Sequence, residues 1–102
     1  MALTKVFSRT EAMDEEFAYR AASWFAVASC PTRLRMLDVL FRHPDGALIA
    51  RDLQGPVEVS QATIAHHVRK LCGSGLIEKG AQGQLSLTRD GRIFVASLQI
   101  IA

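Results

Sequence analysis

The strongest structural signal in this chain is the stretch Ser60-Gln61-Ala62-Thr63-Ile64-Ala65-His66-His67-Val68-Arg69-Lys70-Leu71. Ser60 is a typical helix N-cap residue, and Val59 before it can pack on Ile64 in a hydrophobic staple. Ile64, Val68 and Leu71 recur at the spacing of one helical face. The stretch therefore predicts a helix over residues 60–72, with one side packed and the other side polar.

The polar side of this helix is rich in hydrogen-bonding side chains, namely Gln61, Thr63, His66, Arg69 and Lys70. Gln, Thr, His and Arg can pair with base edges in the major groove of DNA, and Lys can neutralise phosphate. An ordinary amphipathic helix with a merely solvated polar face fits the same stretch equally well. Only the rest of the chain can decide whether this helix reads DNA or is simply exposed to solvent.

The composition indicates one small globular domain. The chain has 102 residues, of which 49% are hydrophobic and 22% charged, so we expect a single domain over 1–102 with a loose leader at 1–10. The net charge is +2; residues 1–50 hold six basic and six acidic side chains, and residues 51–102 hold six basic and four acidic ones. This surplus is too weak for charge alone to hold a nucleic acid.

Several classes of protein are excluded by the sequence. No apolar run reaches membrane-spanning length, and residues 1–16 lack the apolar core of a secretory signal. Two cysteines are too few for a disulfide scaffold, so we expect a cytoplasmic protein with no membrane partner. The sequence shows no Ser/His/Asp set, no carboxylate pair in a plausible cleft and no glycine-rich phosphate loop. We therefore predict that the protein is not an enzyme and binds no cofactor.

The order of predicted elements is that of a winged helix. Apolar periodicity and turn residues predict helices over 11–29, from Pro31 to a stop by Pro44, over 48–53 and over 60–72. Two short strands, 76–79 and 84–87, flank the link 80–83, and Thr88 can cap a last helix. We therefore predict a mainly α fold with a small β-hairpin, a winged helix-turn-helix of order α1-α2-α3-α4-β1-β2-α5.

Four segments, 31–37, 49–53, 60–71 and 75–77, resemble the ArsR/SmtB family of bacterial transcriptional repressors. The resemblance implies a homodimer built from the first and last helices, which agrees with apolar faces on both that one small domain cannot cover. A two-fold dimer would place its recognition helices in major grooves about 34 Å apart. The partner implied is double-stranded DNA carrying an inverted-repeat operator.

The resemblance and the polar helix face together indicate the DNA-binding residues, which are Ser60, Gln61, Ala62, Thr63, His66, His67, Arg69, Lys70 and, in the wing, Gln82. The connection 54–59 is several residues longer than is usual in the family, so we expect a different angle of the third helix. The wing lacks the arginines common in the family, which predicts a shallow dependence of affinity on salt.

Metal ligation is not expected, whereas the role of the two cysteines has two possible readings. The third helix offers Arg51 and Asp52 and the last helix only Asp90, which cannot close a tetrahedral site. His66 and His67 are adjacent on a helix, point about 100° apart, and suit DNA contact or packing better than one shared ion. Cys30, ahead of Pro31 at a helix N-terminus, is a candidate sensing thiol, as is Cys72. The alternative for both is a small buried residue.

Two other functions therefore stand beside a DNA-binding repressor. The same fold could serve a redox or metalloid sensor in which Cys30 or Cys72 alters DNA affinity. It could also serve as a protein-interaction module without DNA binding, because a fold does not determine a function.

Overall fold

A computed structural model of the chain describes residues 12–46 and 48–101, so the predicted leader 1–10 lies outside the described part. The elements follow the predicted order: α1 (Glu15–Ala28), α2 (Pro31–Arg42), α3 (Ala50–Val57), α4 (Gln61–Gly73), β1 (Ile77–Lys79), β2 (Leu85–Leu87) and α5 (Arg89–Ile101). The mainly helical architecture with one small hairpin is confirmed. Among the described helices, none is long and apolar enough to cross a membrane.

The first helix begins later than residue 11, where the sequence places it. Asp14 is the N-cap, and its carboxylate accepts a hydrogen bond from the backbone N–H of Phe17 at 3.3 Å. The side chain of Asp14 thus satisfies one of the N–H groups that have no partner within the helix. α2 starts at Pro31, whose fixed φ and missing N–H suit a first helical position.

The third helix is displaced from its predicted range of 48–53, and the prediction that it ends before Gln54 is wrong. Asp52 determines the start, because its carboxylate accepts from the N–H of Ile49 at 2.9 Å. At the other end, Pro56 and the buried Val57 are helical. Pro56 lacks the N–H that would bond to the carbonyl four residues earlier, so the helix loses one hydrogen bond there, but burial of Val57 favours the extra turn.

The helix-turn-helix is consequently tight, and the prediction of a long connection over 54–59 is also wrong. The connection between α3 and α4 is only Glu58–Ser60. Glu58 adopts a left-handed conformation with φ of 55°, and its N–H donates to the carbonyl of Gln54 at 2.8 Å. The guanidinium of Arg35 on α2 donates to the carbonyl of Pro56 at 2.6 Å, which attaches the end of α3 to α2.

The hairpin forms as predicted and is joined to the start of α3. β1 and β2 are antiparallel with Ile77 opposite Leu87, and the N–H of Gly80 donates to the carbonyl of Gln84 at 2.8 Å. An isolated bridge pairs Ile49 with Gln84, and a 2.7 Å hydrogen bond runs from the N–H of Leu85 to the carbonyl of residue 48. Backbone pairing therefore attaches the wing directly to the helix-turn-helix.

The core is entirely hydrophobic and draws on every helix and both strands. α2 packs on α1, α3, α5 and β2, while α4 packs on α3 and β1. On α2, Met36 is buried whereas Leu34 is exposed. The most completely buried side chains are Met36, Leu37, Leu40, Leu53, Ile64, Leu71, Leu76, Leu85 and Val95.

Candidate nucleic-acid interface

The sequence that starts α4 also fixes how this helix sits on the domain. The Oγ of Ser60 accepts a hydrogen bond from the N–H of Thr63 at 3.2 Å, as an N-cap should. Ile64, Val68 and Leu71 are buried, and Val59 is partly buried against the same core. The predicted cap and the predicted packed face are confirmed, so the opposite side of α4 must face outward.

The outward side of α4 carries no acidic residue and offers donors, acceptors and positive charge. We call its exposed residues the outer face of α4: Gln61, Ala62, His66, Arg69 and Lys70. The amide and imidazole groups can pair with base edges, the small Ala62 can contact a thymine methyl group, and the two cations suit phosphate. The arrangement has the chemistry needed to enter a major groove.

Two of the predicted site residues lie on the flank of α4 rather than on its outer face. Thr63 is half-buried, and its hydroxyl lies 2.9 Å from the Oγ of Ser60, within the cap. His67 is half-buried, and its Nδ1 lies 3.0 Å from Nη1 of Arg33 on α2. The structure thus gives both residues a contact that orients the helix.

Arg33 is the residue of this site that sequence reasoning did not assign. Besides the bond to His67, its Nε donates to the carbonyl of Val27 in the last turn of α1 at 2.6 Å. Arg33 and His67 are 34 residues apart, and no local pattern in the sequence announces a contact at that separation. Only the tertiary fold brings the two side chains together.

The environment of His67 favours its neutral form. Burial lowers the pKa of His67, and the charges of Arg33 and His66 lower it further. A guanidinium can only donate hydrogen bonds, so Nδ1 of His67 is the acceptor and the ring proton is on Nε2. His66 lies beside it, with the two ring centroids 5.5 Å apart, and is exposed.

The wing tip is short and ordered by its own side chains. Gln82 is exposed, and its backbone N–H donates to the side-chain carbonyl oxygen of Gln84 at 2.9 Å. Gly80 leaves room for this amide, because a Cβ atom there would collide with the side chain of Gln84. The one cation on the two strands is Lys79 on β1, which is exposed.

The two cysteines lie in different surroundings. Cys30 is half-buried at the N-cap position of α2, where its side chain makes no capping hydrogen bond. Burial raises the pKa of the Cys72 thiol, and the positive charge of Lys79 opposes this only in part. Cys72 is therefore mostly a neutral thiol at pH 7. Over residues 12–46 and 48–101, no three His, Cys, Asp or Glu side chains cluster as metal ligands would.

The chain is similar to a family of regulatory-protein domains and to a solved structure of the same fold. Residues 26–102 match the family described as methanogenesis regulatory protein FilR1, N-terminal domain. The fold is similar to that of reduced HlyU from Vibrio cholerae N16961, with a TM-score of 0.68 and 23% identity over 85% of this chain and 93% of that chain. No curated protein sequence matches the chain.

The comparisons confirm two of the sequence predictions in general form. The similarity to HlyU establishes the winged-helix fold, with α3 and α4 as its helix-turn-helix and the hairpin as its wing. The family consists of domains of a regulatory protein, which confirms that this domain is not an enzyme. The chain belongs to the family of FilR1 N-terminal domains and is a winged-helix domain of the transcription-regulator type.

Proposed function

We propose that this chain is a sequence-specific DNA-binding regulator, acting as a repressor, that binds double-stranded DNA through the outer face of α4. One observation carries the proposal: α4 buries one full side against α3 and β1 while its other side presents only polar, small and basic residues. A rigidly seated helix of this kind matches the width of a major groove. The resemblance to ArsR/SmtB repressors supports the same role and a cytoplasmic location.

The proposed contacts differ in what they recognise. Gln61, Ala62, Thr63 and His66 read bases, with Thr63 using the part of its hydroxyl left free by the cap. The cations Arg69 and Lys70 neutralise phosphates. Ser60 contacts the DNA backbone from the N-terminal end of α4, and Gln82 contacts DNA from the wing. His67 supports the helix from its inner flank.

We also propose that the protein is a homodimer through α1 and α5, bound to an inverted repeat. Large apolar side chains stay uncovered on both helices: Tyr19 is 71% exposed and Phe25 59%, while Ile93 is 53% and Ile100 85% exposed. The ring of Phe25 lies 5.2 Å from that of Phe94, so the two helices share one apolar surface. Monomeric proteins rarely expose such a surface.

The direct test selects DNA from a random pool and measures affinity by fluorescence anisotropy. Gln61→Ala should cost about 1 to 3 kcal/mol and relax specificity at one base pair per half-site. Arg42→Ala at the C-terminal end of α2 truncates another exposed polar side chain, outside α4 and the proposed dimer helices, and should change neither quantity. Unchanged binding in Gln61→Ala would contradict the assignment of the outer face. Enrichment of no DNA would favour a protein-interaction module.

A thiol-based sensor on the same fold is a second candidate, and Cys30 is the residue that favours it. Cys30 is only half-buried and lies at the junction of α1 and α2, three residues before Arg33, which contacts α4. Oxidation or metalloid binding at this thiol would disturb that junction. A Cys30→Ser protein whose DNA affinity responds to peroxide and arsenite as the parent does would remove Cys30 as the sensor. Cys72→Ser tests the other thiol in the same way.

A further inference from the structure

The side chain of Arg33 joins three helices. Arg33 lies in the first turn of α2; its Nε donates to the carbonyl of Val27 at 2.6 Å, and its Nη1 bonds to Nδ1 of His67 at 3.0 Å. The carbonyl of Val27 is among the last four of α1, which have no donor within their own helix. A cation at this negative end of the α1 dipole is favourable. The position of α4 is thereby tied to the end of α1.

The link depends on the protonation of His67. Guanidinium is planar, always charged and a donor at every nitrogen, so it holds the imidazole only while Nδ1 is unprotonated. A proton on Nδ1 would place two N–H groups, each on a cation, facing one another at 3.0 Å. The hydrogen bond must then break, and one of the two side chains must turn away.

We infer that Arg33 is a positioning residue for DNA recognition: through Val27 and His67 it holds α4 in register with α1, and protonation of His67 releases that hold. The inference rests on the proposed function, because it concerns how the outer face of α4 is presented to DNA. α1 also carries Phe25 of the proposed dimer surface, two residues before Val27. The same guanidinium therefore connects the helix that sets the spacing of two recognition helices with the helix that reads the bases.

The direction of the pH effect follows from the surroundings of His67. The groups that lower its pKa are burial first, then Arg33 on α2 and His66 on α4 itself. The charges on the other elements packed against α4 are Arg51 and Asp52 on α3 and Glu78 and Lys79 on β1, and none of these shifts it. Because the folded pKa lies below the usual 6.5, the link is complete above pH 6.5. The fold loses stability as pH falls from that value toward the pKa of His67 in the folded state. The hydrogen bond between Arg33 and His67 is lost as His67 protonates.

The test measures affinity for the selected operator between pH 5.5 and 8 in the full chain and in five variants. Arg33→Met removes both hydrogen bonds. Arg33→Lys keeps the charge, but a lysine ammonium group lacks the planar guanidinium that reaches both the carbonyl of Val27 and Nδ1 of His67. His67→Gln keeps an acceptor that does not titrate. The exposed Arg42→Met and His43→Gln, at the C-terminal end of α2, are the matched controls, because both residues lie outside α4 and outside the proposed dimer helices. Imidazole NMR signals report the titration of His67, and thermal melts ensure that each variant is compared while folded.

We expect Arg33→Met to lower operator affinity about tenfold at pH 7.5, equivalent to about 1.4 kcal/mol, and to raise the pH at which His67 titrates. Arg33→Lys should restore only part of the affinity, and Arg42→Met should match the parent. The parent should lose affinity as His67 protonates, a component of the pH profile that His67→Gln removes and His43→Gln retains. If Arg33→Met does not fold, the pH profile of His67→Gln still shows whether protonation of His67 lowers operator affinity.

Three results would overturn the inference. Equal affinity and equal pH profiles in Arg33→Met and the parent would show that Arg33 positions nothing. An unchanged titration of His67 in Arg33→Met would show that the two side chains do not interact. Tighter binding on protonation of His67 would make it a direct DNA contact. A parent that selects no DNA at all would instead refute the proposed function, and the inference with it.

Discussion

Gly91 is the residue that allows α5 to lie directly against the entry to the wing. A Cβ atom at this position would overlap the backbone carbonyl oxygen of Leu76 and lie 2.9 Å from its carbonyl carbon. That oxygen accepts the N–H of Thr88 at 3.0 Å, and the hydroxyl of Thr88 accepts the N–H of Gly91 at 3.0 Å. Because backbone on both sides is held by hydrogen bonds, neither partner can rotate out of the way.

The cost of Gly91→Ala can be worked out from these contacts. Overpacking a buried position costs about 1 to 3 kcal/mol, and a clash between backbone groups belongs at the upper end of that range. The higher helix propensity of alanine returns at most about 1 kcal/mol. We therefore expect the free energy of unfolding to fall by about 2 kcal/mol. For a domain of this size, the melting temperature should fall by about 8 to 16 °C.

Thermal and urea unfolding followed by circular dichroism measure this loss. Gly73→Ala is the matched control, because Gly73 is the exposed last residue of α4 and a Cβ atom there would meet nothing within 4 Å. Its effect should stay within about 0.5 kcal/mol. If Gly91→Ala melts at or above the temperature of Gly73→Ala, the close approach of α5 to Leu76 does not exist and the reasoning fails.

Three further expectations concern association, salt and thiol chemistry. Replacing Phe25 and Ile93 together by Ser should convert a dimer to a monomer in sedimentation velocity with the helical signal retained; two dimeric proteins would contradict the proposed surface. Gln82→Arg should steepen the slope of log affinity against log salt by about 0.9, and an unchanged slope would place the wing away from phosphate. Cys72 should react slowly with iodoacetamide at pH 7 and faster as pH rises. Lys79→Gln should slow the reaction further, whereas a rate typical of a free thiol would contradict the partly buried position of Cys72.

Local patterns sufficed wherever neighbouring residues determine the structure. The cap at Ser60, the packed face of Ile64, Val68 and Leu71 and the hairpin around residues 80–83 depend on contacts within a few positions of the chain, and all three were predicted correctly. The outer face of α4 follows from the same periodicity, since residues that do not pack must face outward. Its role in DNA binding remains a prediction from chemistry.

The end of α3 shows where local reasoning failed. Gly55 and Pro56 indicate a helix stop, yet the helix continues to Val57 because this side chain is buried in the core and Arg35 binds the carbonyl of Pro56. Both contacts come from other parts of the chain, and their energy outweighs a propensity of the order of a few kcal/mol. The apparently long connection was a misplaced boundary.

The sequence by itself determined the order of the elements, the side of α4 that packs on the core and the chemistry of its outer face. Capping and periodicity determine these features because they act over one or two helical turns. Only the tertiary structure decided that residues 48 and 49 pair with the wing, that Gly91 lets α5 lie against Leu76, and that Arg33 reaches both Val27 and His67. Each of these joins residues from different elements. Such contacts are created when the elements pack, and no pattern along the chain encodes them separately.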